Sequence, residues 1–236
     1  MTALLLAAAL ASRPAAAAEA VSEHAAAGPP GGRPHAAEPP PSTPSGTAAA
    51  SATTAAPEWE YAVVGNGYLF PGEGDFLLGI GTADRGALHL EARWNYEDRG
   101  TGSALAGWNF SGGEKVEWAV TPLFGVAAGD TDAVLGGVEL SLGWKRLDYY
   151  FEGEVAYDLH DSADNFVYGW SELGYRPVDW LRVGLVGQRT RVVDTGLDVQ
   201  RGLLAQGIAG RFTFGADWFN PGSDDEFVVA ILEVSF

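Results

Sequence analysis

From Glu58 to the C-terminus, apolar and polar residues alternate with a period of two, and no 3.6-residue period appears. Between Ala87 and Glu97, Leu88, Leu90, Ala92, Trp94 and Tyr96 share one face, while His89, Glu91, Arg93, Asn95 and Glu97 share the other. The same holds from Leu147 to Asp158, where Tyr149, Phe151 and Val155 oppose Tyr150, Glu152 and Glu154. The final residues repeat it, with Val228, Ala230, Leu232, Val234 and Phe236 opposing Glu233 and Ser235. Gly, Asp and Asn interrupt the alternation at strand-length intervals. The pattern predicts twelve strands, over 59–70, 75–83, 87–97, 103–110, 115–126, 134–145, 148–158, 166–176, 180–192, 199–209, 211–219 and 226–236. A ten-stranded count is the alternative; up-and-down barrels in membranes usually have an even number.

Composition marks where this pattern begins. Residues 1–57 contain no Phe, Trp or Tyr, and hold 9 of the 13 prolines and 21 alanines. Residues 58–236 hold all 27 aromatics, with 28 acids and 12 bases, a net of −16. The apolar segment Leu4–Ala11, followed by Ala15-Ala16-Ala17-Ala18, reads as a signal peptide over 1–18, although no Lys or Arg precedes it. Residues 19–57 are rich in Ala and Pro with nothing to bury, and read as a disordered tether. The net charge of −17 argues against a nucleic-acid partner, which would need clustered Lys and Arg. There is no cysteine, hence no disulfide, thiolate metal site or thiol nucleophile.

The faces indicate which solvent bathes the sheet. The apolar face is wide and aromatic, and the polar face carries Gly, Ser, Asn and charges of both signs. If the last strand runs inward, Phe110, Trp118, Trp144, Tyr149, Tyr175, Trp180, Phe212 and Phe236 gather at one level. Trp94, Tyr96, Phe124, Tyr157 and Trp218 gather at the other. Two aromatic belts separated by Leu, Val, Ala and Gly suit the two headgroup levels of a bilayer. The connections agree. Those at 83–86, 111–114, 146–147 and 177–179 are tight, whereas 98–102, 128–133, 159–165, 193–198 and 220–226 are longer on average and acidic. The expected fold is therefore all-β, a transmembrane up-and-down antiparallel barrel over 58–236.

The terminal Val234-Ser235-Phe236, with alternating apolar residues before it, resembles the last strand of bacterial outer-membrane β-barrels. The turns Asn109–Glu114 and Arg176–Trp180 are similar to those of uncharacterised members of such families. The resemblance implies an outer-membrane location, contact with outer-membrane lipid, and recognition of the last strand by the barrel-assembly machinery. It leaves the solute and the oligomeric state open.

The polar face then becomes the candidate lumen. Its acids include Glu91, Glu97, Glu117, Glu139, Glu152, Glu154, Glu172 and Glu233, and its bases Arg93, Lys115, Lys145, Arg176 and Arg182. Such a ladder either pairs across strands and fills the barrel, or forms a charged constriction favouring cations. Twelve strands are expected to enclose more space than apolar side chains could fill. The leading functional expectation is a narrow passive channel or structural barrel for small cationic or neutral solutes. A second is a surface interaction barrel working through acidic outer loops. A third is a hydrolase: His160-Asp161-Ser162 resembles the His-x-Ser of outer-membrane phospholipase A, where a histidine activates the serine. In that resemblance an Asn-Gly follows the serine; here Ala163-Asp164 stands there, and Asn165 is the nearest asparagine. No motif points to a metal or a cofactor.

Overall fold

The computed structural model describes residues 57–236 apart from Glu73 and Asp194, so the expected signal peptide and nearly all of the tether lie outside the described residues. Thirteen strands run in chain order: β1 (Glu60–Leu69), β2 (Phe76–Arg85), β3 (Leu88–Trp94), β4 (Gly102–Trp108), β5 (Phe110–Gly112), β6 (Glu117–Ala128), β7 (Ala133–Trp144), β8 (Leu147–Asp158), β9 (Phe166–Val178), β10 (Leu181–Val192), β11 (Asp198–Ala209), β12 (Phe212–Phe219) and β13 (Phe227–Ser235). β4 and β5 are two halves of one barrel strand, both paired with β6. The split has a covalent cause. The register places Pro122 of β6 opposite Trp108, and proline has no N–H to donate, so the ladder lapses there. The barrel thus has twelve walls, each antiparallel to its chain neighbour, and β13 pairs with β1 to close it. The ten-stranded alternative is excluded.

Closure leaves no free strand edge, which a sheet bathed in lipid requires. One rim carries tight connections at 86–87, 113–116, 145–146, 179–180 and 210–211, together with the start of β1 and the end of β13. The other carries 70–75, 95–101, 129–132, 159–165, 193–197 and 220–226, which are longer on average. In barrels of this kind the short turns face the periplasm and the longer loops face outward. Lys145 takes φ 56° in one of the two-residue turns, and Gly86 and Gly210 take φ 60° in two others. These are the left-handed values that tight hairpins demand.

The middle of the exterior is an apolar band. Val63, Leu77, Val126, Val134, Val167, Leu185, Leu203 and Leu232 point outward and are 46–64% exposed. Trp118, Trp144, Trp180 and Phe236 flank this band toward the short-turn rim, and Trp94, Phe124, Tyr157 and Trp218 toward the loop rim. A water-soluble protein does not leave so continuous an apolar belt uncovered. Tyr96 departs from the sequence expectation. It is 2% exposed and points into the barrel. β3 ends at Trp94, and Asn95 adopts φ 57°, so the alternation that placed Tyr96 outside does not continue past the strand. Asn95 is held there by two hydrogen bonds: its Nδ2 donates to the Leu77 carbonyl at 2.9 Å, and Gly100 N donates to its Oδ1 at 2.9 Å.

Candidate functional site: a charged spoke across the lumen

The inward positions divide into layers. Toward the loop rim lies an aromatic stack. Tyr68 lies 4.7 Å from Phe76, Phe219 lies 4.7 Å from Phe227, and Phe227 lies 5.0 Å from Phe70. Trp170 meets Phe219 edge to face at 5.4 Å, and the Arg99 guanidinium of the 95–101 connection sits 4.4 Å above Phe76. Leu78, Ile80, Leu123, Leu135, Val229 and Ile231 fill more of the interior. Apolar side chains thus do line much of the lumen, contrary to the expectation of a space too wide for them. Strands such as β13 carry apolar residues at both parities because one set faces lipid and the other faces this packed interior.

At mid-height the interior is charged. Arg93 projects from β3 and reaches β8 on a distant part of the wall. Its Nη1 donates to Glu154 Oε2 at 2.7 Å and its Nη2 to Glu152 Oε1 at 3.2 Å, while its Nε donates to Glu91 Oε1 at 2.7 Å. Glu97 lies 3.7 Å from Nη1. The guanidinium also lies 3.9 Å from the Tyr96 ring centre, and the Tyr96 hydroxyl donates to Glu152. Tyr150 donates to Glu139 at 3.3 Å. His89 is placed between Asp84 at 2.8 Å and Glu91 at 3.5 Å. Arg93 is therefore a spoke joining strands that the sheet keeps four ladders apart. Five glutamates surround it, at 91, 97, 139, 152 and 154, all no more than 5% exposed. Oxygens of Glu91, Glu97 and Glu154 in this cage have no hydrogen-bond partner.

A second network lies nearer the short-turn rim. Arg182 donates through Nη1 to Glu172 at 2.5 Å and to Gln206 at 3.1 Å, and through Nη2 and Nε to Asp148 Oδ1 at 2.6 and 2.9 Å. Trp170 Nε1 donates to the other Glu172 oxygen at 3.0 Å. Arg176 reaches Asp148 at 3.8 Å. Asp217 is fully buried with both oxygens unpaired.

The residues singled out from the sequence fall in three places. Glu91, Arg93, Glu139, Glu152 and Glu154 meet in the Arg93 cage, and Glu172 and Arg176 belong to the Arg182 network. Glu117 is half-buried at the first residue of β6, near the short-turn rim. Lys145 is not on the wall. It occupies a tight turn, exposed, with its Nζ 4.9 Å from the Trp144 ring, because the strand stops one residue before it. Of the belt residues, Trp94, Trp118, Trp144, Trp180, Trp218 and Phe236 are exposed on the exterior, and Tyr149 is half-buried there. His160 and Ser162 lie in the exposed 159–165 connection. The His160 Nδ1 faces Asp132 at 3.8 Å, and Ser162 opens a single 3-10 turn capped by Asp161. No hydrogen bond joins the two among the described residues, and Asn165 is engaged with the Asp158 backbone N–H at 2.8 Å. Among the described residues no group of His, Asp and Glu is arranged to hold a metal ion.

Continuous closure, an apolar exterior between aromatic belts and a polar-centred interior define a twelve-stranded, membrane-spanning antiparallel β-barrel. Two solved structures of the KdgM porin share this fold. One, in complex with disordered oligogalacturonate, superposes with a TM-score of 0.56 at 9% identity, covering 74% of this chain and 99% of the porin. The other gives a TM-score of 0.53 at 9% identity over the same shares. No protein-family model and no curated sequence matches the chain.

Proposed function

We propose that the chain is a passive, narrow, cation-preferring channel of the bacterial outer membrane, with no catalytic role. The observation that carries this reading is the charge of the interior. Seven buried carboxylates, at Glu91, Glu97, Glu139, Glu152, Glu154, Glu172 and Asp217, face two buried guanidiniums, Arg93 and Arg182. Rings of carboxylates favour cations and repel anions. The oligogalacturonate in the KdgM complex is an anion, and an interior of this sign suits the opposite charge. The Arg93 spoke crosses the route, so passage requires its side chain to swing aside, and the expected conductance is small. Outer-membrane lipid surrounds the barrel, and β13 is the strand offered to the assembly machinery.

Planar-bilayer recording under a salt gradient tests the reading. The wild type is expected to pass small, cation-preferring currents. Glu152→Gln combined with Glu154→Gln is expected to reduce the preference, and Arg93→Ala to raise the conductance. Silence from both the wild type and Arg93→Ala would overturn the channel and leave the barrel a structural element of the membrane.

A further inference from the structure

Among the described residues, exposed charges at outward positions of the wall occur at Arg85, where β2 ends at the short-turn rim against the Trp59 ring, and in one group on β10 and β11. On β10, Leu181, Val183 and Leu185 face lipid, and the same parity continues into Arg189 and Arg191, both exposed. On the adjoining β11, Arg201 is likewise exposed at an outward position. The register sets Gly187 opposite Arg201 and Arg189 opposite Val199. Arg189 and Arg201 are therefore diagonal neighbours, with Cβ atoms about 7–8 Å apart. Arg191 lies two residues further along the same strand and face. Gly169 of β9 pairs directly with Arg189, Gly187 lies between Arg189 and Arg201, and Val199 stands opposite Arg189 on β11 as the apolar side chain within the cluster. A Cβ on Gly187 would meet nothing closer than the Gln200 carbonyl at 3.4 Å. Among the described residues none of the three guanidiniums has an ion-pair or hydrogen-bond partner through its side chain.

The height of this cluster decides what it faces. Arg189 and Arg191 are nine and eleven residues beyond Trp180, which is exposed in the lower belt. At about 3.3 Å per residue and a tilt of about 40°, they lie about 23 and 28 Å above it. The apolar band of such barrels is about 25 Å tall. The guanidiniums thus sit where the hydrocarbon of the outer leaflet gives way to headgroups. Each can present parallel N–H donors to phosphate oxygens, which arginine does better than any other side chain. The rest of the barrel is strongly acidic, so three adjacent cations at this one level are not a sample of the overall charge.

We propose that Arg189, Arg191 and Arg201 form a docking surface for the phosphate groups of an outer-leaflet lipid headgroup, with Gly187 and Gly169 beside Arg189 leaving room for the headgroup against the wall. The surface is independent of conduction, since it lies on the opposite face of the sheet from the Arg93 cage.

The test uses the full chain reconstituted in phosphatidylcholine vesicles with and without 5 mol% diphosphorylated lipid A. Lipid retained after detergent extraction is quantified by mass spectrometry, and the unfolding temperature is followed by tryptophan fluorescence. The wild type is expected to retain lipid A and to unfold at a higher temperature when it is present. The triple variant R189Q/R191Q/R201Q is expected to lose at least threefold in retained lipid A and to lose the temperature shift, while migrating as a folded barrel on unheated gels. Inorganic phosphate added to phosphatidylcholine vesicles is expected to give no shift; a shift equal to that of lipid A would show a free-anion site instead and overturn the lipid assignment. Equal retention by the wild type and the triple variant would also overturn the proposal. Should the triple variant not fold, R189Q and R201Q are compared singly, and unchanged retention in both overturns it as well.

Discussion

Replacing Leu185 with arginine separates a barrel in lipid from a barrel in water. Leu185 points outward and is 56% exposed, and its cross-strand neighbours on the same face, Leu173 and Leu203, are 47% and 49% exposed. It lies five residues beyond Trp180, which at about 3.3 Å per residue and a tilt of about 40° places it about 13 Å up a band about 25 Å tall. That is close to the midplane, where an arginine on the lipid face costs about 2–4 kcal/mol. Val199→Arg, beside the native Arg189 at the upper boundary, is the internal control, with an expected cost of about 0–1 kcal/mol. The assay is reversible denaturant unfolding of the barrel in phospholipid vesicles, followed by fluorescence of its 8 tryptophans. If water bathed this face, Leu185→Arg would stay within about 0.5 kcal/mol of the wild type, as surface substitutions usually do. That result, or equal costs at the two positions, would refute the reasoning.

Three further outcomes follow from the geometry. Asn95→Ala is expected to destabilise the barrel by about 1–3 kcal/mol, since it removes two hydrogen bonds and leaves alanine at φ 57°; Asn95→Gly, which tolerates that backbone, is expected to cost less in the same unfolding assay. A side chain at Gly174 would place Cβ 2.4 Å from Arg182 Nε and 2.6 Å from Asp148 Oδ1, so Gly174→Val is expected to cost about 1–3 kcal/mol, with a smaller cost in an Arg182→Ala background, measured as a double-mutant cycle. Ser162→Ala and His160→Ala are expected to leave phospholipid hydrolysis indistinguishable from the wild type, and calcium-dependent fatty-acid release abolished by Ser162→Ala would restore the hydrolase reading.

Most of the wall is legible in the sequence because its physical demand is simple. Lipid outside requires an apolar residue at every second position, and the twelve predicted spans end within a few residues of the observed strands. The departures share a cause. Extending the alternation past the last residue of a strand misplaces Tyr96 and Lys145, and each lies at or beyond a left-handed residue that ends the strand. The interior aromatic stack is harder to read. Phe219, Phe227 and Val229 occupy inward parity, yet their neighbours Trp218 and Val228 are apolar too, so the two faces of those strands look alike in composition. The Arg189–Arg191–Arg201 cluster carries a signal that alternation alone could have supplied: arginines at the parity otherwise reserved for Leu and Val. The grouping of Glu91, Glu139, Glu152 and Glu154 about one arginine needs the closed ring, because parity tells which face a residue occupies but not which opposite wall it meets.

The reach of Arg93 to β8 also constrains the order of events when the barrel is built. Glu152 and Glu154 lie 59 and 61 residues after Arg93. A sheet extending only through β7 would hold the guanidinium and the Glu91 carboxylate on a concave surface still lacking the acids of β8. A sheet lacking either β3 or β8 keeps these charges hydrated, and their waters leave only when both strands are in place. Dehydration of the Arg93 cage is then a collective event that requires β3 and β8 in the same curved sheet, whichever of the two is added later.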